Sequence, residues 1–290
     1  MEHFLIEANT LPEAYHKSLL HLHNWGVEAG NTREIFCIMR CRNPLQEPRI
    51  SRCMFGGPYD LERYRQEMLD GILDFEVERG NWVYTYHQRF APYLEYCINE
   101  LRRDPDSRRA VISVRDNEAD TKTSDPACLQ SIAYRLRDGK LDCTAMFRSN
   151  DAVKAAFMNM FALVCLQERV ANALGVEVGE YTHIALSYHV YAQDYALLDG
   201  YARRLFTSRD NTYNYKGEYD EMMDEVKPDI AALVNLLKEK AQRPQPMRNE
   251  KKGRRGVFKR SCEDARTTYI DLSFIRLVFF EGKYVGWYRP

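Results

Sequence analysis

Position 128 holds a cysteine whose surroundings suit a nucleophile. It follows an Asp-Pro pair in TSDPACLQSIAYRL (123–136) and precedes a stretch with strand-like alternation. A polar segment, FRSNDAVKAAFMN (147–159), comes soon after it. A cysteine thiolate is a soft nucleophile that can add to an activated ring carbon. Since most cysteines of an intracellular protein are small core residues, this assignment needs support from neighbouring chemistry.

Several polar residues at predicted strand ends form a chemically coherent set with Cys128. Arginine and hydroxyl side chains suit a phosphate dianion, for which a guanidinium is a bidentate donor. An asparagine amide suits a uracil edge, where a carbonyl stands beside an N–H, and His and Tyr suit sugar hydroxyls. Singly, each residue also fits a solvated strand start, a half-buried strand or a helix cap. The set comprises Arg108, Arg109, Cys128, Arg148, Ser149, Asp151, Asn159, His189 and Tyr191.

The composition excludes several classes of protein. The chain has 290 residues, 45% of them apolar, and a net charge of −1, so no global field favours nucleic acid or a membrane. The start, MEHFLIEANT, has no basic or apolar signal pattern, and no apolar run approaches the ~18 residues of a membrane span. The eight cysteines are scattered without a CxxC. We therefore expect a cytoplasmic protein with no metal and no membrane contact.

Alternating helix and strand patterns predict an α/β fold that positions this set at strand ends. NWVYTYHQRF (81–90) is rich in aromatics and short for a helix. DGK (138–140) is typical of a hairpin turn. Helical patterns cover 11–26, 60–73, 93–107 and 159–175, and two more helices follow 194. Strand patterns cover 33–41, 108–116, 128–139, 141–149 and 181–194.

The last part of the chain differs from the rest. Residues 243–260 hold eight Lys or Arg against the single acid Glu250, with prolines and glycines typical of a linker or loop. Aromatics do not alternate with these charges apart from Phe258, so we expect no nucleic-acid site. FIRLVFFEGKYVGWYRP at the end predicts a hairpin turning at EGK. We divide the chain into a catalytic core, 1–206, and an extension, 207–290, packed on the same domain.

Five blocks resemble, in order and spacing, the core of the thymidylate synthase family. They are NPLQEPRIS, YTYHQR, DPDSRRAVISVRD, DPACLQSIAYRLRDGKLDCTAMFRSND and YTHIALSYHVYAQD. The resemblance covers about residues 1 to 205 and is nearest to the archaeal-type members. It implies an α/β (α+β) fold with a mixed sheet backed by helices. It also implies a homodimer that forms through the sheet face and shares its active sites between subunits.

The resemblance implies a covalent mechanism. Cys128 would add to C6 of a pyrimidine nucleotide, since C5 is a feeble nucleophile until this addition creates an enolate. The enolate would attack the methylene of 5,10-methylenetetrahydrofolate, the co-substrate. Tyr86 would belong to the proton-transfer network, and Glu67 would be the catalytic acid.

The resemblance also assigns the binding residues. Asn159 would read the base edge and favour uracil, hence dUMP, over cytosine. Asp151 would touch the folate pterin. Arg108 and Arg109 would reach the phosphate bound in the partner subunit. The remaining nucleotide-binding residues are Arg33, Arg148 and Ser149 for the phosphate, and His189 and Tyr191 for the 3′-hydroxyl.

Four departures from the family pattern leave the product open. Leu129 replaces the usual His, Lys154-Ala155 replaces a loop Gly, and Phe157 replaces a Pro. The usual apolar C-terminal tail is also not recognisable in VGWYRP. A site that seals poorly admits water, which would give a hydroxymethyl group on dUMP, dCMP or CMP. We place synthesis of dTMP first and hydroxymethylation second. The alternative from another functional class is a catalytically inactive relative that only binds nucleotides or nucleic acid.

Overall fold

The computed structural model describes residues 1–240, 267–272, 275–280 and 283–288. It has two compact units, Met1–Pro228 and Asp229–Pro290. The strands of the first unit are β1 (His3–Ala8), β2 (Val27–Ala29), β3 (Thr32–Cys41), β4 (Ile50–Ser51), β5 (Val111–Ser113), β6 (Leu129–Arg137), β7 (Lys140–Phe147), β8 (Asn150–Asp151), β9 (Glu177–Tyr191) and β10 (Thr212–Tyr213). The helices are α1 (Leu11–Trp25), α2 (Pro58–Asp70), α3 (Phe75–Glu78), α4 (Tyr86–Arg103), α5 (Asn117–Asp120), α6 (Ala156–Leu174), α7 (Tyr195–Thr207) and α8 (Asp220–Lys240).

A mixed sheet forms the centre of the first unit. Its strand order is β1-β3-β9-β7-β6-β5, with β2 added beside β3 and β8 beside β9. The pairs β1–β3 and β7–β9 are parallel, whereas β3–β9, β6–β7 and β5–β6 are antiparallel. The ends of β6, β7 and β9 therefore lie side by side, which brings together residues far apart in the chain.

Helices cover one face of this sheet. Helix α6 is buried along most of its length, packs against β7, β9, α2 and α4, and ends at the left-handed Gly175. Inward-facing strand residues such as Cys143, Tyr181 and His183 are fully or almost fully buried beneath the helices. The other face carries partly exposed side chains, among them Leu5 at 69% and Leu186 at 40% exposure. The predicted mixed sheet backed by helices is confirmed.

The prediction for the fourth helix was wrong at its start. Helix α4 begins at Tyr86 rather than at 93 and continues through Pro92. The Thr85 hydroxyl caps it by accepting the Gln88 N–H at 3.1 Å, and Phe90 is already buried in its first turns. The capping and the burial outweigh the single hydrogen bond that the proline removes.

Three further elements differ from the predictions. The strand predicted over 108–116 is regular only at Val111–Ser113, because two successive N–H groups, of Val114 and Arg115, both donate to the Gln130 carbonyl. Strand β1 was not predicted, although it pairs with β3 along its whole length. The predicted terminal hairpin is part of a three-stranded antiparallel sheet of β11 (Thr267–Leu272), β12 (Ile275–Phe280) and β13 (Lys283–Tyr288).

The predicted basic segment, 243–260, lies outside the described residues. Within the described part of the chain, no helix is long and apolar enough to cross a membrane.

Candidate active site

Cys128 is the residue that immediately precedes β6. Its carbonyl accepts the Arg148 N–H at 2.9 Å, because β6 pairs with β7 and the two chain segments continue side by side. The other six cysteines within residues 1–240 are buried, whereas Cys128 is half-buried. Burial raises the pKa of the thiols of Cys37 and Cys41 to about 12, which makes them poor nucleophiles at neutral pH. Burial thus separates Cys128 from its six core counterparts.

Arg148 holds the segment that leads into Cys128. Its Nε donates to the Ala127 carbonyl at 3.1 Å, and one terminal nitrogen donates to the Pro126 carbonyl at 2.7 Å. A guanidinium has five N–H donors, so these two bonds leave others that can bind an anion. Arg148 can therefore fix the backbone at Cys128 and bind a phosphate with the same group.

The short strand β8 brings three more predicted residues to this place. It pairs in parallel with β9, opposite Tyr188 and His189. The Ser149 hydroxyl lies 3.5 Å from His189 Nδ1, and the rings of His189 and Tyr191 meet edge to face at 4.9 Å. Ser149 directly follows Arg148 in the chain, and its contact with His189 brings the hydroxyl and imidazole groups close to Arg148, as a nucleotide that binds through its phosphate and sugar requires.

Asp151 and Lys154 tie down the loop after β8. The Asp151 carboxylate accepts the N–H groups of Val153 and Lys154 at 3.1 and 2.9 Å. Burial raises the pKa of Asp151, and these two bonds, His189 and Lys154 oppose the rise. The Lys154 ammonium lies 2.7 Å from the Asp194 carboxylate and above the Phe55 ring. An ion pair therefore anchors the loop in which the family has a glycine.

Asn159 lies in the first turn of α6, but it does not cap the helix, whose N-cap is Ala155. Its side-chain oxygen accepts from Asn150 Nδ2 at 3.3 Å, and its Nδ2 donates to the Tyr64 hydroxyl at 2.8 Å. The residue is only 5% exposed. Its amide is therefore held on both sides and keeps one donor and one acceptor for a ligand.

Two tyrosines lie beside Cys128 and Asn159. The Leu129 N–H donates to the Tyr86 hydroxyl at 3.3 Å, which places this hydroxyl next to Cys128. The pKa of Tyr86 is raised well above its ordinary value by burial and then by Cys128. Burial likewise raises the pKa of Tyr64, with Glu67 and Cys128 adding to the rise. Both hydroxyls therefore stay protonated at neutral pH.

Glu67 lies three residues after Tyr64 on the same side of α2. Burial raises the pKa of its carboxyl from its usual value near 4.5 to about 7, with Arg63 opposing the rise and Asp74 adding to it. A carboxyl with this pKa can both hold and release a proton at neutral pH, which general acid catalysis needs.

Three predicted arginines have different positions. Arg33 pairs with Val190 in the β3–β9 ladder, between His189 and Tyr191 on the facing strand, and its guanidinium covers the Tyr195 ring at 4.6 Å. Arg108 and Arg109 are exposed, and Arg109 Nε donates to Glu100 at 2.7 Å.

Strand geometry shows how far this arginine pair lies from its own Cys128. The Tyr134 N–H donates to the Ala110 carbonyl, which brings the arginine pair beside Tyr134. Six residues of strand separate Tyr134 from Cys128, a length of about 20 Å. The chain therefore does not bring its own Arg108 and Arg109 to its own Cys128.

Three residues of the site were missed by sequence reasoning. Tyr64 had a usable signal, because it shares a helix face with Glu67. Asn150 and His183 gave none, since one is part of a short polar segment and the other of an ordinary alternating strand. In the described part of the chain, no group of three or more His, Cys, Asp or Glu residues could hold a metal.

Comparisons with known proteins identify the family. The family model of thymidylate synthase matches residues 65–236. The chain belongs to the thymidylate synthase family. Members of this family are one-carbon transferases that use methylenetetrahydrofolate as a co-substrate. The predicted family and class of enzyme are confirmed.

Two archaeal relatives, each named "Putative thymidylate synthase", span most of the matching length. The protein of Methanosarcina acetivorans is 31% identical over 203 residues, 67% of this chain and 93% of the relative. That of Methanosarcina barkeri is 29% identical over 202 residues, with the same shares covered. A deoxyuridylate hydroxymethyltransferase of Pseudomonas phage M6 is 31% identical over 170 residues, 56% of this chain and 48% of that protein.

A solved structure shows the same fold. The thermostable thymidylate synthase A of Bacillus subtilis superposes with a TM-score of 0.57 over 71% of this chain and 87% of that one, at 16% identity. At this identity the likeness supports the fold alone.

Proposed function

We propose that this protein converts dUMP to dTMP by transferring a one-carbon unit from 5,10-methylenetetrahydrofolate to C5 of the base. The observation that carries this proposal is the position of Cys128. It is the one half-buried cysteine among residues 1–240, held by Arg148 on one side and next to the Tyr86 hydroxyl on the other. A nucleophile, a hydrogen-bond donor for a phosphate and a group that holds a proton thus meet at the start of β6.

The nucleotide is bound through both of its ends. Arg148 and Ser149, with Arg33, bind the phosphate by charge-assisted hydrogen bonds. His189 and Tyr191 bind the 3′-hydroxyl of the sugar. The remaining donor and acceptor of the Asn159 amide pair with O4 and N3–H of uracil.

Cys128 then forms a bond from Sγ to C6, and the displaced electron pair moves to O4 of the base. Glu67 holds a proton near neutral pH and is the acid that we assign to this step. C5 next bonds to the methylene carbon of the folate, whose pterin lies against Asp151, after the bond of that carbon to one folate nitrogen has broken. Its bond to the second nitrogen breaks when the folate leaves, and the Cys128 Sγ–C6 bond breaks when the product is released. The Tyr86 hydroxyl stays protonated. We assign it to the proton-transfer network through which the proton leaves C5.

We also propose a homodimer that forms through the exposed face of the sheet. Paired positions across the sheet place Leu5, Ile38, Ile184 and Met146 in one row on this face. A continuous apolar row of this kind is typical of an interface between subunits. In the dimer, Arg108 and Arg109 of one subunit reach the phosphate bound by the other, which explains why they lie about 20 Å from their own Cys128.

Hydroxymethylation of dUMP is the second candidate. It is favoured by the phage relative named deoxyuridylate hydroxymethyltransferase, which has the same 31% identity to this chain as the Methanosarcina acetivorans relative, although over fewer residues. The two reactions share every step up to the methylene on C5. They differ in whether the folate then delivers a hydride or water adds, so exclusion of water decides the product.

To test this, the full chain is incubated with dUMP and methylenetetrahydrofolate, and the molecular mass of the nucleotide product is determined. A gain of one methylene group with the absorbance of dihydrofolate supports synthesis of dTMP. A gain of one formaldehyde unit with no absorbance change supports hydroxymethylation instead. If no pyrimidine nucleotide gave a product, both proposed reactions would be overturned. A catalytically inactive, nucleotide-binding relative would then remain as the interpretation.

A further inference from the structure

Five side chains form a continuous hydrogen-bonded chain inside the protein, which we call the His183 relay. The Tyr181 hydroxyl lies 2.9 Å from His183 Nδ1, and His183 Nε2 lies 2.9 Å from Asn150 Oδ1. Asn150 Nδ2 then donates to Asn159 Oδ1, and Asn159 Nδ2 donates to Tyr64. Tyr181 and His183 are 0% exposed, Asn150 3% and Asn159 5%. The relay therefore leads from the core of the sheet to the residue that faces the base.

Each link of the relay determines the direction of the next one. Asn150 Oδ1 can only accept, so His183 Nε2 carries the proton and Nδ1 accepts from Tyr181. His183 is neutral, because burial lowers its pKa to about 3. Its ring also stacks on Phe147 at 4.7 Å, which opposes the rotation about Cβ–Cγ that would put a ring carbon in place of each nitrogen. The Asn150 amide is therefore oriented, and it orients the Asn159 amide.

The hydrogen bonds of the relay have only one other consistent arrangement, in which each donor and acceptor is reversed. If His183 carried its proton on Nδ1 instead, Nε2 would accept from Asn150, and both amides would have to rotate by 180°. Asn159 would then present its acceptor where the first arrangement presents its donor. The tautomer of His183 and the amide orientation of Asn159 are thus a single two-state element.

The two orientations of the Asn159 amide match the different base edges of uracil and cytosine. Uracil presents an acceptor at O4 beside the N3–H donor, whereas cytosine presents an amino donor beside the N3 acceptor. A fixed amide can satisfy one of these edges, and the other edge then meets like groups. An asparagine that rotates freely would accept both bases.

From this we infer that His183 and Asn150 are positioning residues that lock the Asn159 amide and thereby set the choice between uracil and cytosine. The inference rests on the proposed role of Asn159 as the base-reading residue. A polar chain of this length in a core is costly unless every link is satisfied, and each link here has a partner.

The test measures equilibrium binding of dUMP and dCMP to the full chain by calorimetry in the absence of folate. We expect Asn150→Leu, which keeps the volume but loses both hydrogen bonds, to reduce the ratio of the two affinities by ~10- to 100-fold. The ratio falls because the disfavoured nucleotide gains affinity as the favoured one loses it. Affinities that fall in parallel, with the ratio unchanged, would mean a merely structural role and overturn the inference.

A second pair of variants keeps the test valid if Asn150→Leu does not fold. Tyr181→Phe removes one hydroxyl at the far end of the relay and should lower the ratio by ~2- to 10-fold. Tyr134→Phe is the matched control. Tyr134 is equally buried on β6, and its hydroxyl has no hydrogen-bond partner among the residues that the structure describes. An unchanged ratio in Tyr181→Phe, or an equal fall in Tyr134→Phe, contradicts the inference.

The tautomer gives a readout that does not depend on the proposed function. Nitrogen NMR of His183 in the wild type should show a neutral ring protonated on Nε2, and a ring protonated on Nδ1 overturns the inference even if dUMP is the substrate. A wild type that prefers dCMP would refute the proposed choice of uracil. The fall of the affinity ratio toward one in Tyr181→Phe would still support the relay.

Discussion

The two ends of β6 differ in how their polar groups are satisfied. At the first end, Cys128 lies among groups of its own chain, with the Arg148 guanidinium bound to carbonyls and the Tyr86 hydroxyl bound to a backbone N–H. At the other end, Arg135 and Arg137 of the strand lie near the exposed Arg108. At one end the polar groups are paired within the chain, and at the other three arginines lie close together.

The charge cluster has a measurable consequence in the single chain. The pKa of Arg135 is lowered, first by burial and then by the positive charges of Arg137 and Arg108. An anion placed there would relieve this repulsion, and a nucleotide phosphate is such an anion. The difference supports the proposed dimer, in which the residues near Cys128 would form most of one site and the arginines at the far end would complete the site of the partner subunit.

Replacement of Cys128 should have the largest effect. We expect Cys128→Ala to abolish turnover and to leave the affinity for dUMP nearly unchanged, since the thiolate bonds to the base only along the reaction path. Cys37→Ala, which removes a buried thiol outside the site, is the matched control and should keep turnover. Substantial activity of Cys128→Ala in a product assay would refute the nucleophile.

Glu67 should give the next largest effect. We expect Glu67→Gln to lower kcat by ~10²- to 10⁴-fold, the usual contribution of a general acid. The wild-type rate needs the protonated carboxyl, whose pKa is about 7, so it is high below that pH and falls as pH rises through it. A pH profile of kcat measures this, and the same fall in the residual rate of Glu67→Gln would contradict the assignment.

The same carboxyl should make stability depend on pH. Its pKa in the folded protein lies above its usual value near 4.5, so the folded state binds more protons than the unfolded state between about 4.5 and 7. The free energy of unfolding should therefore decrease as pH rises through this window. Urea titrations at several pH values should show a smaller decrease in Glu67→Gln. An identical decrease in both proteins would show that Glu67 does not titrate there.

Removal of the Arg148 side chain should weaken nucleotide binding. We expect Arg148→Ala to cost about 2–5 kcal/mol in affinity for dUMP, because the bound phosphate loses a charged partner. Arg169→Ala removes a guanidinium near the C-terminal end of α6 that is paired with Asp70, and it serves as the control. Calorimetry that finds equal affinities for the two variants would remove Arg148 from the phosphate site.

Mixed dimers test the far end of β6, and the signal to be measured, a partial recovery of activity, is the smallest of those predicted. A chain with Cys128→Ala and a chain with Arg108→Ala and Arg109→Ala should each be weakly active or inactive alone. Mixing them with exchange of subunits should restore about a quarter of wild-type activity, since half of the dimers are mixed and one of their two sites is intact. No recovery in chains shown to exchange would mean that these arginines do not act across the interface.

Local patterns in the sequence predicted most of the core elements. The alternation in 128–139 and 141–149 with its DGK turn became β6 and β7, and Gly175 ends α6 as expected. Strand β1 was missed because its pairing partner, β3, is distant in the chain. The start of α4 was misplaced because the Thr85 cap and the burial of Phe90 outweigh the local effect of Pro92. Such long-range contacts leave little trace in a local pattern.

The sequence by itself determined the family, the type of fold and the identity of the chemically able residues, because these follow from residue types and their order. Only the tertiary structure decided which residues meet. The pairing of β6 with β7 and of β8 with β9 gathers Arg148 and His189 near Cys128, while the length of β6 keeps Arg109 away. The His183 relay could arise only when α2, α6, β8 and β9 packed together, since hydrogen bonds between distant residues depend on the three-dimensional position of each donor and acceptor.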